Sequence, residues 1–209
     1  YEFGGDYRPE PRYQQGYLGA EYRYHAESGG WQITHLLHGD PWSDDAHSPL
    51  LKPGTNVAEG DILISINGRK LNASIPPARA LVNLADEEVV LVLRSAEDPT
   101  PRRVTVKVMT REQPLRYRAW VENNRRSVHE ATQDRVGYLH IPDMGAAGYA
   151  EFHRGYLAEI DREGLIVDLR FNRGGHVSAL LLEKLARRRL GYDTARWSKV
   201  PNPYPPESV

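Results

Sequence analysis

"GLIVDLRFNRGGHVSALLLEKL", residues 164–185, decides the fold: a mostly apolar run meets Gly174 and Gly175 and passes straight into a stretch with apolar residues at helical spacing. A run this apolar is expected in a parallel sheet covered on both faces. A strand that hands over to a helix through bare backbone is also where α/β sites form, because free N–H groups and the positive end of the helix point into the crevice. Glycine at that corner permits positive φ and lets another molecule touch main chain. Three uses compete. A plain tight turn needs nothing more. A phosphate loop needs GxGxxG or GK[ST], and neither is present. An oxyanion hole needs amides aimed at a developing negative oxygen, a device worth about 3–4 kcal/mol per donor in acyl transfer.

Working outward, "LRYRAWVENNRRSVHEATQ" (115–133) reads as helix, "RVGYLHIPD" (135–143) as strand and "GYAEFHRGYLAEIDREG" (148–164) as amphipathic helix. "HVSALLLEKLARRRLG" (176–191) reads as a helix whose last turn carries Arg187, Arg188 and Arg189, where positive charge favours the helix dipole. Strands alternating with helices of this length predict βαβ units. Upstream, the segments are short and strand-like: "YLGAEYRY", "WQITHLL", "DILISING", "EEVVLVLRS" and "RRVTVKVMT", separated by glycine- and proline-rich turns. One short helix is expected in "PPARALVNLAD" (76–86). The fold class is therefore α+β / α/β, a small β-rich domain over residues 16–112 followed by a βαβ segment over residues 113–209, with residues 1–15 the tail of a preceding segment.

Composition narrows the function. With 27 basic and 28 acidic residues, no overall field draws the protein to nucleic acid or an anionic membrane. No apolar run approaches the roughly 20 residues of a membrane span, and no targeting segment is read. The absence of cysteine excludes thiolate metal sites and disulfides and fits a cytoplasmic location. The 8 histidines show no ligand spacing, so neither metal nor other cofactor is expected. A start at Tyr1 and a stop in "VPNPYPPESV" read as an excised piece.

"GYLGAEY" (16–22), followed by "LKPGTNVAEGDILISINGRKL" (51–71) and the "ARALVNL" helix, resembles a PDZ domain of the bacterial, protease-associated kind. The resemblance makes Leu18, Gly19 and Ala20 the turn whose amides hold a peptide's terminal carboxylate, a use that fits the anion affinity of successive amides and the ability of a free strand edge to add a peptide. Read alone, Gly19 merely permits a turn. The acidic connection "HGDPWSDDAHSPLL" (38–51) is long enough to cover the groove.

"DRVGYLHIPDMGAAGYAEFHRGYL" (134–157) and "EGLIVDLRFNRGGHVSALLLEKLARRRLGYD" (163–193) resemble the catalytic domain of the tricorn proteases, in the tail-specific branch of serine peptidases, with a crotonase-like (ClpP/crotonase-type) core. "YEFGGDYR" and "LRYRAWVENNRRSVHE" are similar to the segments that flank the inserted PDZ domain in that family. The resemblance implies that Gly175 donates to the oxyanion, that Arg173 and Gly174 lie beside it along the substrate strand, and that Asp193 reaches into a neighbouring subunit's pocket to favour a basic residue before the cut bond. It implies oligopeptide substrates and a homo-oligomer, a hexamer in the full-length parent. The family often has three glycines where this chain has Arg173, Gly174 and Gly175, so a narrower or more positive substrate edge is expected.

The family's histidine base and nucleophilic serine are expected outside this chain, and Ser178, Ser198 and Ser208 make poor nucleophiles, so the 209-residue chain alone is expected to be inactive. Tyr138, His140 and Asp143 read as an ordinary strand and its exit, Asp168 as a structural partner of Arg170, and Asp193, without the resemblance, as the cap of the next turn. Two function classes stay open: part of a serine endopeptidase, or a PDZ module that recognises peptide C-termini with no catalytic role. A third, a crotonase-like acyl-CoA enzyme, is disfavoured by the inserted PDZ pattern and the lack of an adenine-binding signal.

Overall fold

A computed structural model of the chain describes residues 12–40, 46–95, 98, 100–198 and 200–205. The expectations placed on residues 1–11, on the acidic centre of the 38–51 connection and on Ser208 lie outside the described residues. The chain divides into two compact units, Tyr1–Ala119 and Trp120–Val209.

The first unit is one sheet: β1 (Ala20–His25), β2 (Gly30–Leu36), β3 (Ile62–Ile66), β4 (Arg69–Lys70), β5 (Glu88–Arg94) and β6 (Arg102–Lys107). The order is β1-β2-β3-β5-β6, antiparallel at every pairing, with β4 attached to β3. The alternating sequence of β5 shows why it forms: Val89, Leu91 and Leu93 all point inward and are fully buried, while Glu88 and Val90 face out. Asn67 and Gly68, both at positive φ, make the two-residue turn from β3 to β4. The ion pair of Asp61 with Arg102 (2.5 Å) ties β6 to the loop before β3, and the same guanidinium donates to the carbonyls of Thr55 and Asn56. The short helix is α1 (Pro77–Ala80). Among the described residues β1 pairs only with β2, so its outer edge is open.

The second unit takes up α2 (Gln113–Thr132) from Trp120 onward, then β7 (Val136–His140), α3 (Ala146–Glu159), β8 (Gly164–Asp168) and α4 (Ser178–Leu185), with β9 (Gly191–Asp193) and β10 (Asn202–Tyr204) forming a separate antiparallel pair. β7 and β8 run parallel through the α3 crossover, as the βαβ pattern predicts. Their core is Leu139, Ile141, Phe152, Tyr156 and Leu181. The buried Glu159 carboxylate accepts from His129 Nε2 at 2.9 Å and is paired with Arg162, fastening the end of α3 to α2.

Two expectations fail. β8 is not covered on both faces: Ile166 is 45% exposed, because the sheet has only two strands among the described residues. The helix expected over 176–191 ends at Leu185, so the three arginines follow it instead of occupying its last turn. Arg187 pairs back to Glu183, while Arg189 stacks on Tyr192 and the Leu190 N–H donates to the Tyr204 carbonyl, drawing the chain into the β9–β10 pair.

Candidate functional site

The exit of β8 is built by successive hydrogen bonds to the exit of β7. Arg173 N–H donates to the Pro142 carbonyl (3.1 Å), Met144 N–H to the Gly174 carbonyl (2.7 Å), and the N–H groups of His176 and Val177 both to the Met144 carbonyl (2.7 and 2.9 Å). Asn172 completes the frame: its Nδ2 donates to the Ile141 carbonyl (2.9 Å) and its Oδ1 accepts from Gly174 N–H (2.7 Å). Gly174 and Gly175 have φ of 78° and 138°, a region that favours glycine. A Cβ on Gly175 would lie 2.2 Å from the Met144 carbonyl oxygen.

The peptide joining Gly174 to Gly175 is planar and trans, so its carbonyl and its N–H point in opposite directions. Because the carbonyl is turned to Met144, the Gly175 N–H is turned away from the β7 exit. It donates to no described group, and Gly175 is exposed. An outward amide on a rigid turn can hold a negative oxygen.

Behind the turn, Asp168 at the end of β8 accepts from Tyr138 Oη (2.7 Å) and from Arg170 Nη2 (2.6 Å). The hydrogen bonds from Arg170 hold its carboxyl well below the usual carboxylate range against the opposing effect of burial, and Tyr138 adds to the lowering. Burial, then the bond to Asp168, raises the Tyr138 phenol. Arg170 lies over the Trp120 ring (5.2 Å), and His140 Nε2 donates to the Arg170 carbonyl (2.7 Å). Asp143 Oδ1 accepts from the N–H groups of Gly145 and Gly148, capping α3. Asp168 and Arg170 form the expected ion pair, and Tyr138, His140 and Asp143 lie on β7 and its exit.

The turn over Leu18, Gly19 and Ala20 opens a groove of about 500 Å³ in the first unit. Its walls include Tyr22 and Trp31 from the sheet, Pro77 and Leu81 from α1 and its exit, and Glu112 and Arg116. Ser48 Oγ donates to the Leu18 carbonyl (2.8 Å), and Leu37 N–H donates to the Gly19 carbonyl (2.9 Å). The N–H groups of Leu18 and Gly19 donate to no described group. Burial, then the charge of Glu112, pushes the Tyr22 phenol far above its usual range, so it stays protonated; its hydroxyl has no partner among the described residues.

The structure brings Arg173, Gly174 and Gly175 together on one exposed turn, and Leu18, Gly19 and Ala20 on a buried turn of which Leu18 and Ala20 line the groove. Asp193 ends β9 on the separate β9–β10 pair, exposed and joined to the 173–175 turn by no hydrogen bond or ion pair. It does not cap the next turn. Ser178 begins α4, and its hydroxyl is hydrogen-bonded to no base among the described residues, while Ser198 donates to the Val200 carbonyl. Sequence reasoning missed Asn172 and Arg116. The asparagine inside "FNRGG" is a signal for the first, because its side chain commonly bonds backbone two residues on; no local signal marks the second. Among the described residues, no cluster of side chains is suited to hold a metal ion, and no helix is long and apolar enough to cross a membrane.

An antiparallel β unit with an open edge beside unpaired amides, followed by a β-α-β unit whose exit turn presents an outward amide, defines a PDZ module joined to part of an α/β peptidase core. Residues 16–111 match the family described as the tricorn protease PDZ domain, and residues 135–201 match peptidase family S41. The chain belongs to the tricorn protease family. It is 46% identical over 206 residues to a tricorn protease homolog of Saccharolobus solfataricus, covering 98% of this chain and 19% of that protein. It is 40% identical over 209 residues to the tricorn protease of Thermoplasma volcanium, covering all of this chain and 20% of that one. The crystal structure of the tricorn protease superposes with a TM-score of 0.82 at 34% identity, over 94% of this chain and 19% of that one. The chain thus spans about a fifth of the length of the relatives it matches.

Proposed function

We propose that the chain supplies the oxyanion donor and substrate edge of a tricorn-like serine endopeptidase that degrades oligopeptides. The observation that carries this is the unpaired, outward N–H of Gly175 on a turn held by Met144 and Asn172. When a serine oxygen bonds to the scissile carbonyl carbon, its proton passes to a base and the carbonyl π pair moves onto oxygen; in this reading the Gly175 N–H donates a hydrogen bond to that oxyanion. The substrate strand lies along Arg173 and Gly174, and Asp193, acting from a neighbouring subunit, reads a basic side chain before the cut bond. The nucleophile and base come from segments beyond residues 1–209, in a cytoplasmic homo-oligomer, a hexamer when full length. The 209-residue chain alone does not cleave peptides.

The test is turnover of fluorogenic peptides with arginine or lysine before the cut bond. The full-length protein is expected to cleave them and lose activity in Gly175→Ala, while the 209-residue chain shows none. Turnover by the chain alone that disappears in Ser178→Ala overturns the assignment of the nucleophile.

A second reading, that the groove beside β1 takes peptide C-termini, is supported by the amides of Leu18 and Gly19, which donate to no described group, and by the β1 edge, open among the described residues.

A further inference from the structure

The groove beside β1 contains charges that its backbone amides do not explain. Arg116, in the first turn of α2, lies beyond residues 16–111, the span matched as a PDZ domain, yet it lines the groove together with Glu21 of β1 and Glu112. Its two ion pairs differ. Nε donates to Glu112 Oε2 at 2.6 Å, and the Glu112 side chain is only 10% exposed. Nη1 donates to Glu21 Oε1 at 3.2 Å, and here the two side chains are 49% and 51% exposed. The inner pair is an anchor. The outer pair is a solvated contact of the kind that contributes little to stability and exchanges readily.

We propose that Arg116 is the counter-ion for the terminal carboxylate of a bound peptide, and that Glu21 occupies its outer face until the peptide arrives. The inference rests on the second reading above, that this groove takes peptide C-termini. Leu115, the neighbour of Arg116, is already against the amide turn: a Cβ on Gly19 would lie 2.9 Å from Leu115 Cδ2. Leu18 and Ala20 of the turn line the same groove as Glu21 and Arg116, and the N–H groups of Leu18 and Gly19 donate to no described group. Two amides supply directed donors, and an arginine adds the charge and fork geometry suited to a carboxylate.

Charge decides the order of events. With Glu21, Glu112 and Arg116 in place the groove carries one surplus negative charge, so a second carboxylate is repelled until Glu21 leaves. Glu21 sits on the strand whose open edge the peptide would extend, and its half-exposed side chain has solvent to turn into. Because Glu21 acts as an internal competitor and Arg116 as the receiver, removing the two charges must change affinity in opposite directions. A purely structural ion pair predicts loss, or no change, for both.

The experiment is fluorescence anisotropy on the 209-residue chain with a labelled alanine-rich hexapeptide ending in leucine, as the free acid and as the C-terminal amide. Arg116→Gln is expected to weaken the free acid about tenfold or more, Arg116→Lys to weaken it less, and Glu21→Gln to tighten it several-fold. The amide should bind weakly and alike in all forms. Arg116→Gln binding the free acid as well as wild type, while wild type still distinguishes acid from amide, overturns the role of Arg116 and leaves the groove reading intact. Failure of both wild type and Glu21→Gln to distinguish acid from amide overturns the groove reading and this inference with it. Weaker binding of the free acid by Glu21→Gln overturns the competition.

Discussion

The Met144 N–H donates to the Gly174 carbonyl at 2.7 Å, and this bond turns the N–H of Gly175 away from the β7 exit. The two glycines are therefore not equivalent. A methyl at Gly174 meets nothing within 4 Å, whereas one at Gly175 would lie 2.2 and 2.4 Å from the carbonyl oxygen and carbon of Met144. Gly174→Ala should cost about 1–2 kcal/mol, the ordinary penalty of a left-handed backbone. Gly175→Ala should cost more, because the strand-like contact with Met144 has to open. Urea unfolding of the two variants checks the order, and equal midpoints would contradict the geometry.

Asn172 is expected to set the aim of that amide. Its side chain holds the carbonyl of Ile141 and the N–H of Gly174 at once, so Asn172→Ala removes two hydrogen bonds, at about 1 kcal/mol each. Asn172→Asp keeps the acceptor for Gly174 and loses the donor to Ile141. Amide exchange at Gly174 should accelerate strongly in the alanine variant and little in the aspartate variant. Under the proposed peptidase function, the alanine change in the full-length protein should lower kcat by about tenfold with KM little altered, since ground-state contacts to substrate remain. A change confined to KM would remove Asn172 from any positioning role.

Much of this was legible in the residues, and the failures have physical causes. β5 is readable because a one-face-buried strand must alternate, and its sequence does; the turn at Asn67 and Gly68 is readable because few residues tolerate positive φ. The bare backbone at Gly174 and Gly175 marked the exit turn, but Asn172 works through a carbonyl 31 positions earlier, which no local periodicity reports. Arg116 and Glu21 are 95 positions apart, so their meeting was invisible too. The helix end was misread because arginine is a good helix former, while the pull of Tyr192 and Tyr204 on the chain after Leu185 is tertiary. The apolar run of β8 signals a capacity for burial, and Ile166 shows that the capacity is only partly used among the described residues.

The Asp168 network should give the second unit an acid limb and an alkaline limb of stability. The folded-state value of Asp168 lies below that of an unfolded aspartate, so on acidification the unfolded chain takes up the proton first. Its contribution is complete above about pH 4, the unfolded value, and falls away as pH drops below it. Tyr138 is shifted upward, so above about pH 10 the unfolded chain loses its proton first and stability again falls as pH rises. Asp168→Asn should flatten the acid limb, read as urea midpoints between pH 2 and 6; an unchanged slope would show that other carboxyls carry it.

Ser48 is the back wall of the Leu18–Ala20 turn. It is fully buried, its hydroxyl donates to the Leu18 carbonyl at 2.8 Å and accepts from Leu50 N–H at 3.2 Å, and its Cβ would stand 2.8 Å from a methyl placed on Gly19. Ser48→Ala leaves the Leu18 carbonyl and the Leu50 N–H without these partners, at a cost of about 1–3 kcal/mol for buried groups left unsatisfied. Gly19→Ala acts on the same contact from the other side, adding a methyl at φ 66° against Ser48 and Leu115. Both changes should release the turn, and the reporter is the Leu37 amide, which donates to the Gly19 carbonyl at 2.9 Å. Its hydrogen exchange should accelerate in each variant while the β5 amides of Leu91 and Leu93 stay protected. Equal acceleration at Leu37 and in β5 would mean that the whole sheet, not the turn, depends on Ser48.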